Sequence, residues 1–458
     1  MKSFLWRFPG IRQALLISAG LGIATPAFAV KKSAVSAPAQ NFAVSQFPPW
    51  MKMDFTLRGR TEAQTAINYE SHNTQLYELT RARGGLTIQA PKYFSIYAQF
   101  QDAHSPGLPR REAASNMLDA FDLRQAYLKL GNAPFTFYAG RQELRLGHER
   151  LVGRSNWSNI SRTFDLLHLF IGSENNHVEL FSGSVVKVNP TSFDRPEGGF
   201  TIHGAYATLA TLIPHTNLQP YVLFHTLPVT SQQGLKGREL LVAPGIRAVG
   251  KLPSGFDYKV EGVMERGSYV NDSIHAGAGY IKAGYTAASL PWKPHIEPEY
   301  DYATGNSHRN PLRVSTFDEF HPSDHNVFGL LDLFSWKNIK QRRLNLDLRP
   351  SKKLDFLLQG ESLHVANVMD SIYNGGGSKM TVAPPPGGLR SDDIGSEFDA
   401  SIGWDTGHHV LCEMGVGHLW PGAALTQNNH GAPDTIAYFQ LTYKFSISKD
   451  GHKVKTIY

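Results

Sequence analysis

From residue 51 onward the chain alternates apolar and polar side chains. In MKMDFTLRGRTE, Met51, Met53, Phe55 and Leu57 fall on one face, with Lys52, Asp54, Thr56, Arg58, Arg60 and Glu62 on the other. FDYKVEGVMERG sets Tyr258, Val260 and Met264 against Asp257, Lys259, Glu261 and Glu265. IGSEFDASIGW sets Ile394, Phe398, Ala400, Ile402 and Trp404 against Glu397, Asp399 and Ser401. A two-residue period belongs to β-strands whose faces meet different surroundings, and no 3.6-residue period is sustained over several turns. About eighteen such segments follow one another, near 51–62, 76–90, 93–103, 120–131, 134–146, 162–172, 176–188, 199–210, 216–228, 238–252, 255–267, 274–287, 293–304, 336–350, 353–364, 394–406, 408–420 and 435–447.

A soluble β-sandwich would show the same alternation, so the connections decide. They alternate short and long. PK at 91–92, GNAP at 131–134, SENN at 173–176, LPSG at 252–255, RPSKK at 349–353 and DTGH at 405–408 are short, whereas 104–119, 147–161, 305–335 and 365–393 are long. Bacterial outer-membrane barrels keep this rhythm, with short periplasmic turns and longer external loops. The expected fold is therefore all-β: a transmembrane antiparallel β-barrel of about 18 strands with long extracellular loops. DTGH leaves no room for a periplasmic plug, so gating falls to the external connections at 104–119, 305–335 or 365–393.

The amino terminus agrees. Lys2, Arg7 and Arg12 precede the apolar run QALLISAGLGIA, and Ala27-Phe28-Ala29 has the small-x-small form of a cleavage site. The expected organisation is a signal peptide at 1–29, a periplasmic lead-in at 30–50, the barrel at 51–447 and a basic tail at 448–458, placing the protein in the bacterial outer membrane. Removing the three basic residues of the leader lowers the formal charge from +6 to +3, too mild a balance to suggest nucleic acid. The single cysteine, Cys412, excludes a disulfide framework and a Cys-based zinc site.

The polar faces carry the candidate chemistry. A charge on the lipid face costs roughly 2–4 kcal/mol near the midplane, so the charged faces are expected to line the lumen. GRQELRLGHERLVG places Arg141, Glu143 and Arg145 at every second position, predicting an inward stripe. In the same phase Arg58, Arg60, Arg81 and Arg83 form a basic wall, joined by Lys444 once the last strand pairs with the first. Later strands contribute Glu261, Glu265, Glu297, Glu299, Asp301, Asp347, Glu397 and Asp399, relieved by Arg247, Lys259 and Arg343. These charges either hydrate the wall and pair across strands, or present guanidinium groups to passing anions.

DLRQAYLKL at 122–130, GRQELRLGHERLVG at 140–153, WSN at 157–159 with RTFD at 162–165, YDYATGN at 300–306, TFDEF at 316–320 and LDLFSWKN at 331–338 resemble the alginate export family of outer-membrane barrels. The closing YFQLTYKF at 438–445 is similar to that family's last strand. The resemblance implies an eighteen-stranded barrel whose positive lumen passes an anionic polyuronate without chemistry. It puts Arg124, Arg141 and Arg145 in the conduction path, although Arg124 shares a face with the apolar Ala126, Leu128 and Leu130. The implied partners are an anionic polysaccharide or small anionic solutes, outer-membrane lipid and periplasmic export proteins. Two features depart from the family: a tail through SISKDGHKVKTIY beyond the last strand, and acid-rich later strands that suit a general diffusion porin equally well.

Catalysis has little support. There is no G-x-S-x-G, P-loop or Rossmann glycine pattern, and GHERL at 147–151 lacks the second histidine of a zinc protease. Adjacent His408 and His409 face opposite sides of a strand. No enzyme activity, cofactor or metal is expected.

Overall fold

In a computed structural model the described residues are 47–448, less Pro91, 110–112, 115, 231–233, 309, 326 and 378–379. The leader at 1–29, the lead-in before residue 47 and the tail after residue 448 lie outside the described residues.

Eighteen strands form one closed sheet. They are β1 (Met51–Thr65), β2 (Gln75–Ala90), β3 (Phe94–His104), β4 (Asp119–Asn132), β5 (Phe135–Gln142), β6 (Phe164–Gly172), β7 (Asn176–Lys187), β8 (Arg195–Ile213) and β9 (Thr216–Thr230). There follow β10 (Lys236–Lys251), β11 (Phe256–Tyr269), β12 (Asp272–Thr286), β13 (His295–Ala303), β14 (Ile339–Ser351), β15 (Leu354–Val365), β16 (Asp393–Asp405), β17 (Val410–Pro421) and β18 (Asp434–Ile447). Each pairs antiparallel with the next, and β18 closes on β1 with Lys444 opposite Thr56. A two-residue piece, Arg313–Val314, adds in parallel to β12. Among the described residues no helix is long and apolar enough to cross a membrane; the strands do so.

The faces separate as the alternation predicts. On β1 Leu57 is 53% exposed whereas Arg58 is 5% exposed, because closure turns one face to lipid and the other to the interior. Long connections gather at one end, but the interior is not simply wet. The connections 143–163 and 304–338 fold inward and carry Leu144, Leu146, Leu151, Phe317, Phe328 and Trp336 into an apolar cluster against the inward residues Phe164, Leu166, Ile202, Tyr206 and Leu223. The two inward loops are joined to each other. The Gly153 amide donates to the His321 carbonyl (2.9 Å), the His321 amide to the Leu151 carbonyl (2.8 Å), and Trp157 stacks on His325 with ring centres 3.7 Å apart.

The expected strand over 134–146 ends at Gln142. Leu144 and Leu146 continue the alternation in sequence, but their partners are apolar side chains inside the barrel rather than lipid. Burying each is worth about 1.5–3 kcal/mol, which offsets the ladder bonds given up.

Candidate functional site: the lumenal constriction

The inward face of β1 and β2 grips the loop 143–163 by its carbonyls. Arg58 donates to the carbonyls of Asn156 (2.8 Å) and Ser158 (2.9 Å), and Arg60 to that of Trp157 (2.8 Å). Arg81 reaches the Ser158 and Asn159 carbonyls at 3.4 Å, and Arg83 the Ile160 carbonyl at 2.8 Å. The Arg60 guanidinium also lies 3.6 Å from the centre of the Trp157 ring and 2.5 Å from Glu62. A planar guanidinium offers several donors in a fixed fork, so a ladder of four can hold a run of carbonyls in an irregular backbone that has no strand partner.

The acid-rich strands hold the loops by opposite groups. Asp399 and Glu397 of β16 accept the amides of Leu330 (3.2 Å) and Leu331 (3.1 Å), and Glu265 of β11 accepts that of Asp318 (3.0 Å). Arg150 enters from the other loop and forks onto Glu299 and Asp301 of β13. Lys282 sits 2.7 Å from Glu299, Lys259 2.6 Å from Glu297, and Arg343 2.8 Å from Glu299 while also donating to the Val327 carbonyl. Arg247 lies within the same wall, 3.2 Å from the Tyr280 hydroxyl and 3.9 Å from Glu261.

Arg124 faces inward through a β-bulge. Gln99 pairs with Gln125 but Phe100 pairs with Leu123, leaving Arg124 as the extra residue. A bulge lets consecutive side chains share a face, so Arg124 and Gln125 are both buried while Ala126, Leu128 and Leu130 keep the outer face. Arg124 binds Glu143 at 2.5 Å.

The predicted stripe at 141–145 is corrected. Arg141 pairs across the sheet with Ala126 and Asp165, whose neighbours Phe164 and Leu166 are the inward, fully buried ones. Arg141 therefore points outward near the external rim, fixed to Asp165 at 2.9 Å and to the carbonyls of Leu123 and Asp194. Glu143 and Arg145 are loop residues beyond the end of β5, and Arg145 is exposed and pairs with Glu149 at 3.1 Å. The alternation of charge survives in sequence; its common face does not, because the strand has ended.

Two cavities flank the segment 155–161. The outer one, about 450 Å³, is lined by Asp119, Asp194, Glu197, Asp324 and Asp332 with Arg124, Arg162 and Lys187 among other residues. The inner one, about 440 Å³, carries four cations, Arg58, Arg81, Arg154 and Lys444, against two carboxylates, Glu149 and Glu413. His325, also on its wall, is held well below the usual histidine range by burial and by Arg60, so it adds no charge near neutral pH. Sequence reasoning missed Arg150, Arg154, Trp157 and His325. Its one signal for the first three was the density of the block at 140–165.

With this geometry the family assignment follows. The family model described as alginate export matches residues 49–438, nearly the whole barrel. The chain belongs to the alginate export family. No curated protein matches it in sequence. Among solved structures this alginate export family member is similar in fold to Acinetobacter baumannii OccAB1, with TM-score 0.62 and 10% identity, over 88% of this chain and 99% of that one. Pseudomonas aeruginosa OpdK, solved with vanillate, gives 0.61 and 8% over 87% and 100%, and OccK11 of the same organism 0.55 and 11% over 87% and 97%. Family and fold are those of outer-membrane channels, and the protein is an outer-membrane β-barrel channel.

Proposed function

We propose that this channel passes carboxylate-bearing anions passively, uronate chains among them, with the inner cavity as the selecting element. The supporting observation is the charge of that cavity, four cations against two carboxylates with its two histidines, His148 and His325, neutral. Lys444 has no carboxylate within salt-bridge distance among the described residues, and Arg154 meets Glu143 and Glu149 only at 3.6 and 3.5 Å. Such loosely held cations can exchange a protein carboxylate for a passing one, whereas the buried Arg150 cannot leave its partners. Family membership favours a polyuronate cargo. The second reading, a diffusion porin for small solutes, draws support from the two loops that fill much of the lumen and from OpdK's having been solved with vanillate, a small carboxylate.

Reversal potentials in planar bilayers across a salt gradient test both, with oligouronate or vanillate added to one side. An anion-preferring potential and block by oligouronate favour the polyuronate. Block by vanillate alone favours the small-solute porin. A cation-preferring pore overturns the proposal.

A further inference from the structure

The acidic wall contains one cluster that loop anchoring does not explain. His225 of β9, Glu239 of β10 and Asp318 of the loop 304–338 each bring a ligand atom within 4.8 Å of the other two. His225 faces inward because its pairing partner Leu241 does, and it is 2% exposed. Both of its ring nitrogens are buried without a well-formed hydrogen bond, Nε2 having only Glu239 Oε1 at 3.5 Å and Nδ1 no partner. An imidazole has one donor and one acceptor to satisfy, and leaving Nδ1 unmade in a dry site costs about 1–3 kcal/mol. The Phe320 ring packs against it at 4.5 Å between centres and supplies no hydrogen bond.

The charge around it is also unbalanced. Beside Glu239 and Asp318 stands Glu265, which accepts the Asp318 amide with one oxygen and has no partner for the other. Lys337, 3.3 Å from Asp318, is the lysine beside these three carboxylates.

We propose that His225, Glu239 and Asp318 bind one divalent transition-metal ion of the zinc type, pinning the loop 304–338 to the β9–β10 wall. Imidazole nitrogen with carboxylate oxygens is a donor set that such ions favour. At metal–ligand distances near 2.1 Å, tetrahedral neighbours stand about 3.4 Å apart, and the His225 Nε2 to Glu239 Oε1 separation is 3.5 Å. Three protein ligands leave a fourth position that water can take. The ligands come from two strands and a distant loop, which is why no sequence motif announced them.

The experiment is a Co²⁺ titration of the purified full barrel in detergent after treatment with chelator, followed by visible absorption and then by displacement with Zn²⁺. Saturation at one ion per chain is expected, with affinity at least tenfold weaker in His225→Ala and in Glu239→Gln. Heat-modifiable migration of each variant shows that the barrel has formed, and His225→Gln, which keeps the volume, repeats the test if His225→Ala does not fold. Failure of the wild-type protein to take up Co²⁺ or Zn²⁺, or folded variants with wild-type affinity, overturns the proposal.

Discussion

The two walls of the lumen hold the same pair of loops by opposite means. On β1 and β2, guanidinium donors meet loop carbonyls; on β11, β13 and β16, carboxylates meet loop amides and the inserted Arg150. An irregular backbone inside a barrel must satisfy both its donors and its acceptors, and a lumen with one basic and one acidic side can serve each from a different wall. The outcome differs between them. The acidic side is closed, its carboxylates buried and held to loop amides or to Arg150, Arg343 and Lys282 over an apolar cluster, while the basic side borders the inner cavity and keeps cations in excess. Charge on a barrel wall thus reports anchorage where it is buried and paired, and is available to solutes where it is not.

The largest effect is expected from breaking the acidic side. Arg150→Ala leaves Asp301 buried without its salt-bridge partner and Glu299 with Lys282 and Arg343 alone, a loss of about 3–5 kcal/mol when one member of a buried pair is removed. The eighteen-strand ladder does not include Arg150, so the barrel should remain heat-modifiable while the loop 143–163 loses its hold on β13. Higher single-channel conductance with added flicker is the expected record. Unchanged conductance would show that the basic ladder alone fixes the loop.

A smaller and purely electrical effect is expected on the basic side. Arg154→Ala with Lys444→Ala reduces the inner cavity from four cations to two, equal to its carboxylates. Screened contacts in a wet lumen are worth up to about 1 kcal/mol each, so the reversal potential should move from anion preference toward zero without loss of folding. Block by oligouronate should weaken with it. A double variant that keeps its selectivity would place the selecting charges elsewhere.

How much of this was legible in sequence depends on which surroundings a residue meets. Strand count, closure of β18 on β1 and the inward phase of Arg58 and Arg81 follow from alternation, because lipid and lumen differ sharply in polarity. The stripe at Arg141 failed because alternation continues through Leu144 and Leu146 into a loop with its own apolar burial. Arg124 could not be phased because a bulge inserts one residue and leaves no mark in composition. Cross-lumen partners such as Arg150 with Asp301 depend on how two loops fold inward, which local pattern does not encode. Of the three connections expected to gate, 305–335 does fold into the lumen, whereas 365–393 contributes Ile372, Val382 and Leu389 to the buried cluster; the chain that crosses the lumen between the two cavities is 155–161.

Acidity distinguishes the outer cavity from the inner one. Burial, with Asp332 nearby, raises Asp324 to about 8, although the Gly376 amide, Arg162 and Arg150 pull it the other way. Burial, with a lesser push from Glu62, raises Asp332 to about 6; burial, with Asp122 and Asp165 against the Asn189 amide and Arg141, raises Asp194 to about 6. Unfolded carboxyls titrate near 4. The folded protein therefore binds more protons in this window, and loop packing is most stable at low pH and weakens as pH rises from about 4 to about 8. The same ionisation makes the outer cavity more negative. Anion preference should fall between pH 5 and pH 9, and Asp324→Asn should flatten the upper part of that change. A pH-independent reversal potential would mean that solutes do not pass these carboxyls.

The smallest effect is expected from Arg141→Ala. Its guanidinium lies on the outer face, 14% exposed, with Asp165 and two rim carbonyls as partners, so no part of it borders either cavity. Removing it leaves Asp165, itself partly exposed, to solvent near the headgroups, where a lone carboxylate costs at most about 1 kcal/mol. A slightly lower temperature for loss of heat-modifiable migration is expected, with selectivity and oligouronate block as in the wild type. Arg145→Ala adds a control, since it leaves Glu149 on the inner cavity with Arg154 as its remaining cation and should lower anion preference by less than Arg154→Ala does. If Arg141→Ala alone shifts the reversal potential, the outward placement of this side chain is wrong and the charge stripe read from GRQELR is restored to the lumen.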